Sequence, residues 1–302
     1  MRDKYEKHGL RWVAHQTRVA ADRLHLLVIS TTVATFALIL LGIYTAAVGA
    51  GLTCDARWPL CDGAVFGLFP ANWPSFVEWF HRLVAMIVGF MILGSAYALY
   101  RRGVDRTVMA VMTGVVVLLP LQIWLGAETV LGYEVLVLIL HFLTAFAIYL
   151  GLLYVTLRLI GRNRFGRRRI RRIGLLVLLL IPLLVLVSPT VIAAHSGLYQ
   201  MAYNGIGLAI ISLLILMIFG LQPLRPSRYR DDTAALITVS LLSITLLMMI
   251  FLLTIGRVTS VLGISQYTAL SDLLIWPGAP ILLVLVLVAV LQIGQIQPSR
   301  TN

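Results

Sequence analysis

The chain has 302 residues, of which 60% are hydrophobic and 12% charged, with a mean hydropathy of +0.96. This excludes an ordinary soluble enzyme or a disordered binder and predicts an integral membrane protein. The net charge of +12 does not call for a nucleic-acid partner, because Lys and Arg gather between apolar runs. There they mark cytoplasmic segments and meet anionic lipid headgroups.

In chain order, a basic segment 1–25 precedes eight apolar runs, at 26–49, 78–100, 107–126, 135–157, 173–193, 201–221, 234–255 and 269–293. Each reaches the ~20 residues that a spanning helix needs. Helices are expected because lipid leaves strand edges unsatisfied. The first run is too long for a signal-peptide core, and the N-terminus mixes Asp3, Glu6 and Asp22 with its bases, unlike an organelle presequence. An Arg-rich linker occupies 159–172 and a short tail 294–302. The basic segments alternate with a loop at 50–77 that carries only Arg57, so both termini are expected in the cytoplasm and that loop outside, in a prokaryotic plasma membrane.

The linker divides the runs into two sets of four with the same starting side. The expected architecture is all-α: a four-helix bundle at 26–158, a second at 173–293, and a parallel pseudo-two-fold repeat between them. Local echoes agree. Ala47-Val48-Gly49-Ala50-Gly51-Leu52 parallels Ala193-Ala194-His195-Ser196-Gly197-Leu198, and Leu125-Gly126 with Thr129-Val130-Leu131-Gly132 parallels Ile255-Gly256 with Ser260-Val261-Leu262-Gly263.

The chemistry concentrates in the first half. Glu78, His81 and Arg82 sit where the loop enters the second run, and His141 lies at similar depth in the fourth. Ionisable groups in lipid are costly and mark sites. One membrane histidine is most simply a helix-contact residue, but two at matched depth suit the axial ligation of a haem. Arg82 either pairs with Glu78 or neutralises a haem propionate. Glu78 caps the helix start or accepts a proton. Glu128, ending the third run, reads as interfacial. Cys54 and Cys61, the only cysteines, share the outer loop and form a disulfide candidate, either a staple or a redox-active pair. Zinc is not expected, because no further Cys or His lies in the loop.

These residues carry a resemblance. Gly49 to Cys54, then Trp58-Pro59-Leu60-Cys61-Asp62-Gly63, resembles the first outer loop of the heme A synthase family. Glu78-Trp79-Phe80-His81-Arg82 resembles its Glu-x-x-His-Arg helix, Gln122 to Ala127 its third helix, and His141 with Ala145 its fourth. The resemblance implies an eight-helix enzyme that oxidises the C8 methyl of heme O to the formyl of heme A by successive hydroxylations. It also implies a heme O synthase upstream, a terminal oxidase downstream and an electron acceptor. It makes His81 and His141 haem-iron ligands, Glu78 the catalytic carboxylate, and Cys54 with Cys61 the loop pair.

The second half departs from that family's pattern. Where relatives carry a second histidine pair for a haem B, this chain has Tyr203 and either Ser271 or Asp272, with Gln200 at the position of Glu78 and Asn204 at that of Arg82. That leaves the second haem in doubt and makes the second bundle mainly scaffold, with His195 a remote substitute ligand. An enzyme without that haem needs another electron route. The alternative function is a non-catalytic haem-binding, haem-delivery or oxidase-assembly protein. A transporter ranks third, because the strong polar groups collect near one face of one half rather than at the midplane of both.

Overall fold

A computed structural model describes residues 2–54, 57, 59–61, 64–65, 68–70, 72–131, 134–161, 165–188, 197–221, 231–262 and 265–295. Eight long helices follow one another: α1 Arg2–Ala47, α2 Trp73–Arg102, α3 Arg106–Leu131, α4 Val135–Ile160, α5 Arg167–Leu186, α6 Gly197–Leu221, α7 Asp231–Leu262 and α8 Ser265–Gln295. Between α1 and α2 lie a single turn at Ala50–Leu52 and a two-stranded antiparallel ribbon, β1 Ala64–Val65 with β2 Phe69–Pro70.

Among the described residues, six helices are long and apolar enough to cross a membrane: α1 from Arg23, α2, α3, α4, α6, and α7 over Ala235–Ile255. The chain is therefore an all-α membrane-spanning protein. The two helices below that measure, of the eight spans expected, are α5, whose first turns carry the Arg run, and α8, whose described apolar part is Pro277–Ile293.

Several boundaries differ from expectation, each for a local reason. Residues 2–25 are helical and belong to α1, because Arg, Lys, Glu, Ala, Leu and Gln favour a helix over most of them. The expected linker 159–172 shrinks, since α4 runs to Ile160 and α5 starts at Arg167. Helix α5 stops at Leu186 rather than 193, shortly before Pro189, and a residue preceding proline disfavours helical geometry. Helix α2 starts five residues before Glu78. The Asn72 side chain accepts from the Ser75 N–H at 2.9 Å, and Pro74 occupies the first turn, where its missing N–H costs nothing.

Among the described residues, α1 packs on α2, α2 on α3, α3 on α4 and α4 on α1, so α2 and α4 are diagonal partners. The helices α5 to α8 close a ring in the same order. Val28, Ile92, Met112, Val115 and Leu152 fill the first ring. Ile181, Ile211, Leu214, Met249 and Val286 fill the second. Hydroxyl pairs tie the first ring internally, Thr31 to Ser95 at 3.0 Å and Thr32 to Thr156 at 2.7 Å, since lipid offers a polar side chain no other partner. Between the halves, α1 meets α6 and α4 meets α6 and α7, with the Tyr149 hydroxyl 2.7 Å from Ser212 Oγ.

Candidate functional site

The site lies at the end of the first ring that carries the loop. The 50–52 turn packs against α1, α2 and α3 and closes that end. Gly49, at φ 69°, makes the left-handed step out of α1 that turns the chain across the bundle, a conformation glycine adopts without strain. Cys54 and Cys61 are joined by a disulfide, and both are buried with Trp79 of α2. Trp79 donates its indole N–H to the Pro59 carbonyl at 2.9 Å and tilts against Phe69 of β2, with ring centroids 5.1 Å apart. The loop is thus a folded cover fixed to the start of α2. Trp58, between the two cysteines, lies outside the described residues.

Glu78 is the bolt of that cover. Its side chain is buried, with the whole residue only 2% exposed. Oε2 accepts from the Cys54 N–H at 2.7 Å, and the Thr53 hydroxyl, shared with the Ala50 carbonyl, lies 2.9 Å away. Oε1 pairs with the Arg82 guanidinium one turn further along α2. A carboxylate so deep needs these donors to offset its desolvation. Asn72, and not Glu78, caps α2, which corrects one of the two roles read from the sequence. Arg82 is engaged by Glu78, as its alternative reading held. Glu128 takes no part in these contacts.

The two histidines come from the diagonal helices α2 and α4, rather than from adjacent ones, and lie within electrostatic range of one another. Each leans on a glycine of a flanking helix. A Cβ at Gly42 of α1 would come within 3.0 Å of His81 Cε1, and one at Gly126 of α3 within 3.1 Å of His141 Cε1. Gln122 of α3 adds its amide nitrogen 3.3 Å from His141 Nε2. Nδ1 of both rings and Oε1 of Gln122 are buried without a hydrogen-bond partner among the described residues. Buried orphan polar atoms are rare and costly, so three of them on or beside two imidazoles from diagonal helices suit a bound ligand that brings its own polar or metal centre. The donor set suits an iron porphyrin: two neutral nitrogens from opposite sides of a bundle, under a closed cover. Among the described residues no group of three His, Cys, Asp or Glu is placed to hold a bare metal ion.

Sequence reasoning missed Thr53, the Cys54 N–H, Gly42 and the pairing of Gln122. Gln122 left a usable signal, an amide inside an apolar run. Gly42 left none, because its role is the room it leaves for a ring distant in sequence.

The second ring is built differently. Tyr203 is buried beside a small apolar cavity of about 20 Å³, which it lines with Ile181, Leu184, Met249 and Leu252, among others. Asn204 Nδ2 bonds the Gln200 carbonyl of its own helix at 2.8 Å. Ser271 and Asp272 lie on α8 with their side chains outside the described residues, as is His195 altogether.

An all-α membrane-spanning protein whose first ring holds two diagonal imidazoles beneath a disulfide-closed cover belongs to the class that builds ligand sites inside a helical bundle. The family follows from the sequence: the chain matches the COX15-CtaA family of cytochrome oxidase assembly proteins over residues 25–204, and it belongs to that family. It is 32% identical to a heme A synthase of Bacillus licheniformis over 131 residues, 43% of each chain. It is 33% identical to a heme A synthase of Alkalihalophilus pseudofirmus over 122 residues, 40% of this chain and 41% of that one. It is also 33% identical to a protoheme IX farnesyltransferase of Halobacterium salinarum over 97 residues, 32% of this chain and 21% of the other. The chain thus spans less than half the length of each relative.

Proposed function

We propose that this protein is a heme A synthase, oxidising the C8 methyl of heme O to a formyl group within the first bundle. The carrying observation is the pair of imidazoles on diagonal helices, each with a buried Nδ1 that has no partner among the described residues, His81 standing one turn from Glu78. His81 and His141 hold the iron of the porphyrin substrate. Arg82 balances charge beside it, and Glu78 accepts protons released from the methyl carbon. The iron porphyrin supplies the oxidative chemistry. The chain fixes its position, shields it with the Cys54–Cys61 cover and anchors the carboxylate. Converting the methyl to a formyl takes up one water oxygen and releases four protons and four electrons, and the electrons pass to an external acceptor. Similarity to protoheme IX farnesyltransferases supports an upstream partner that makes heme O, with a terminal oxidase downstream.

The test is pigment conversion. Co-expressed with a heme O synthase in a host without its own heme A synthase, the protein should yield extractable heme A by mass. Glu78→Gln keeps an acceptor for Cys54 and should retain haem but lose conversion. Accumulation of heme O alone with the unaltered protein would exclude catalysis. A second reading, haem delivery without turnover, is favoured by one observation: Glu78 is wholly engaged in holding the cover, so its presence does not by itself require chemistry.

The finer architecture belongs to the same proposal. The equal adjacency order of the two rings supports a duplication into bundles at 26–158 and 173–293. A two-fold would answer the α1–α6 contact with one between α2 and α5; among the described residues only the first forms, so the operator is better described as a sideways repeat. The second bundle is mainly scaffold, because Tyr203, buried among apolar side chains, stands where relatives of the family pattern carry an imidazole. Both termini lie in the cytoplasm of a prokaryote and the 50–77 loop outside, as the Lys and Arg distribution supports.

A further inference from the structure

The two histidines are held unequally. No hydrogen bond reaches the His81 ring among the described residues, and Gly42 packs against it. His141 has a partner, the Gln122 amide 3.3 Å from its Nε2, and that amide's oxygen is buried with no partner of its own. Nε2 is the ring nitrogen farther from the backbone, the better able to reach a metal at the centre of the bundle. It is already taken by a neutral side chain of the next helix.

We propose that Gln122 is a displaceable internal ligand of His141, occupying Nε2 while the porphyrin is away and yielding it when iron binds. This rests on the haem-site reading above. Nε2 has one lone pair, so it cannot accept from an amide N–H and bind a metal together. With the amide turned over, Nε2–H donates to the amide oxygen, and its proton must move to Nδ1 before ligation, so the competition remains. The glutamine therefore stabilises only the porphyrin-free state. His81, with no hydrogen bond to break, is the first ligand to engage. When the porphyrin is itself substrate and product it must enter and leave, and a competitor for one axial nitrogen makes that axial bond exchangeable. The freed amide, with its unpartnered oxygen, then stands beside the macrocycle.

The experiment partitions haem at equilibrium between full-length protein in detergent and apomyoglobin, comparing the unaltered chain with Gln122→Met and Gln122→Leu. Methionine keeps the volume and removes the hydrogen bond. Both variants should hold haem roughly fivefold to tenfold more tightly, the factor expected from one lost membrane hydrogen bond, with the bis-imidazole absorption band unchanged. Equal or weaker retention overturns the proposal. A second measurement needs no variant: the Gln122 side-chain amide resonances of the unaltered protein should shift on loading with diamagnetic gallium protoporphyrin, and unmoved resonances overturn it. An unaltered protein that takes up neither porphyrin sinks the haem-site reading itself, and the Gln122 proposal with it. A loaded protein whose variants behave identically sinks Gln122 alone.

Discussion

Glu78 shows how one side chain carries both structure and chemistry. Its two oxygens are engaged by the Cys54 N–H, the Thr53 hydroxyl and Arg82, so truncation leaves a buried N–H without its acceptor and takes the carboxylate from Arg82. Hydrogen bonds to charged groups contribute about 1.5–3 kcal/mol. Glu78→Ala should therefore destabilise the protein by roughly 2–3 kcal/mol, read as a lower thermal midpoint and faster proteolysis of the loop, while Glu78→Gln should lose clearly less. Equal loss in both would mean that the charge, not the acceptor geometry, holds the cover. His81→Ala and His141→Ala should each remove most of the haem absorbance of purified protein without changing its helix content by circular dichroism; full haem content in both variants would end the ligand assignment. The histidines, Glu78 and the cysteines were legible in the sequence because ionisable residues in apolar runs stand out. What they touch was not legible. The Cys54 N–H is a backbone atom that every residue offers, and Gly42 acts through empty space.

Among the elements, the ends of helices are where polar chemistry decides geometry. Asn72 starts α2 early and places Glu78 in its second turn, facing the loop rather than capping the helix. At the opposite end of the bundle, Asp105 Oδ1 accepts from the N–H groups of Thr107 and Val108 at the start of α3, and Oδ2 accepts from Arg158 of α4 at 3.0 Å. The Arg158 hydrogen bond, followed by that from Val108, holds the Asp105 carboxyl below the usual aspartate range. A depressed folded-state pKa gives a contribution that is present above the unfolded value and lost as pH falls through the folded one, hence below about pH 4. The effect is small because the pair is exposed to solvent. Asp105→Asn should flatten the acid limb of thermal stability in detergent below that pH and leave neutral stability nearly unchanged; an acid limb of unaltered slope would remove Asp105 from the account. Sequence periodicity located the apolar middles of all eight helices but misplaced their ends. Those ends depend on caps and prolines that hydropathy ignores.

At the scale of the whole molecule, ring closure brings residues sixty positions apart to one level. The order α1, α2, α3, α4 places α2 and α4 on a diagonal. Sidedness is open to direct measurement. Reporter domains fused after Arg102 and after Leu131 should read opposite sides of the membrane, with the Arg102 fusion cytoplasmic; both on one side would refute the proposed topology.

The sequence by itself determined the membrane class, the number and order of the helices and the identity of the two imidazoles. Hydrophobic transfer energy and the cost of charge in lipid act residue by residue. Only the tertiary structure decided that the imidazoles are diagonal and seated on glycines, that Glu78 bolts the disulfide loop to α2, and that Gln122 meets His141. Those outcomes depend on which helix faces which, and that is fixed by close packing between segments far apart in the chain, which no local pattern encodes.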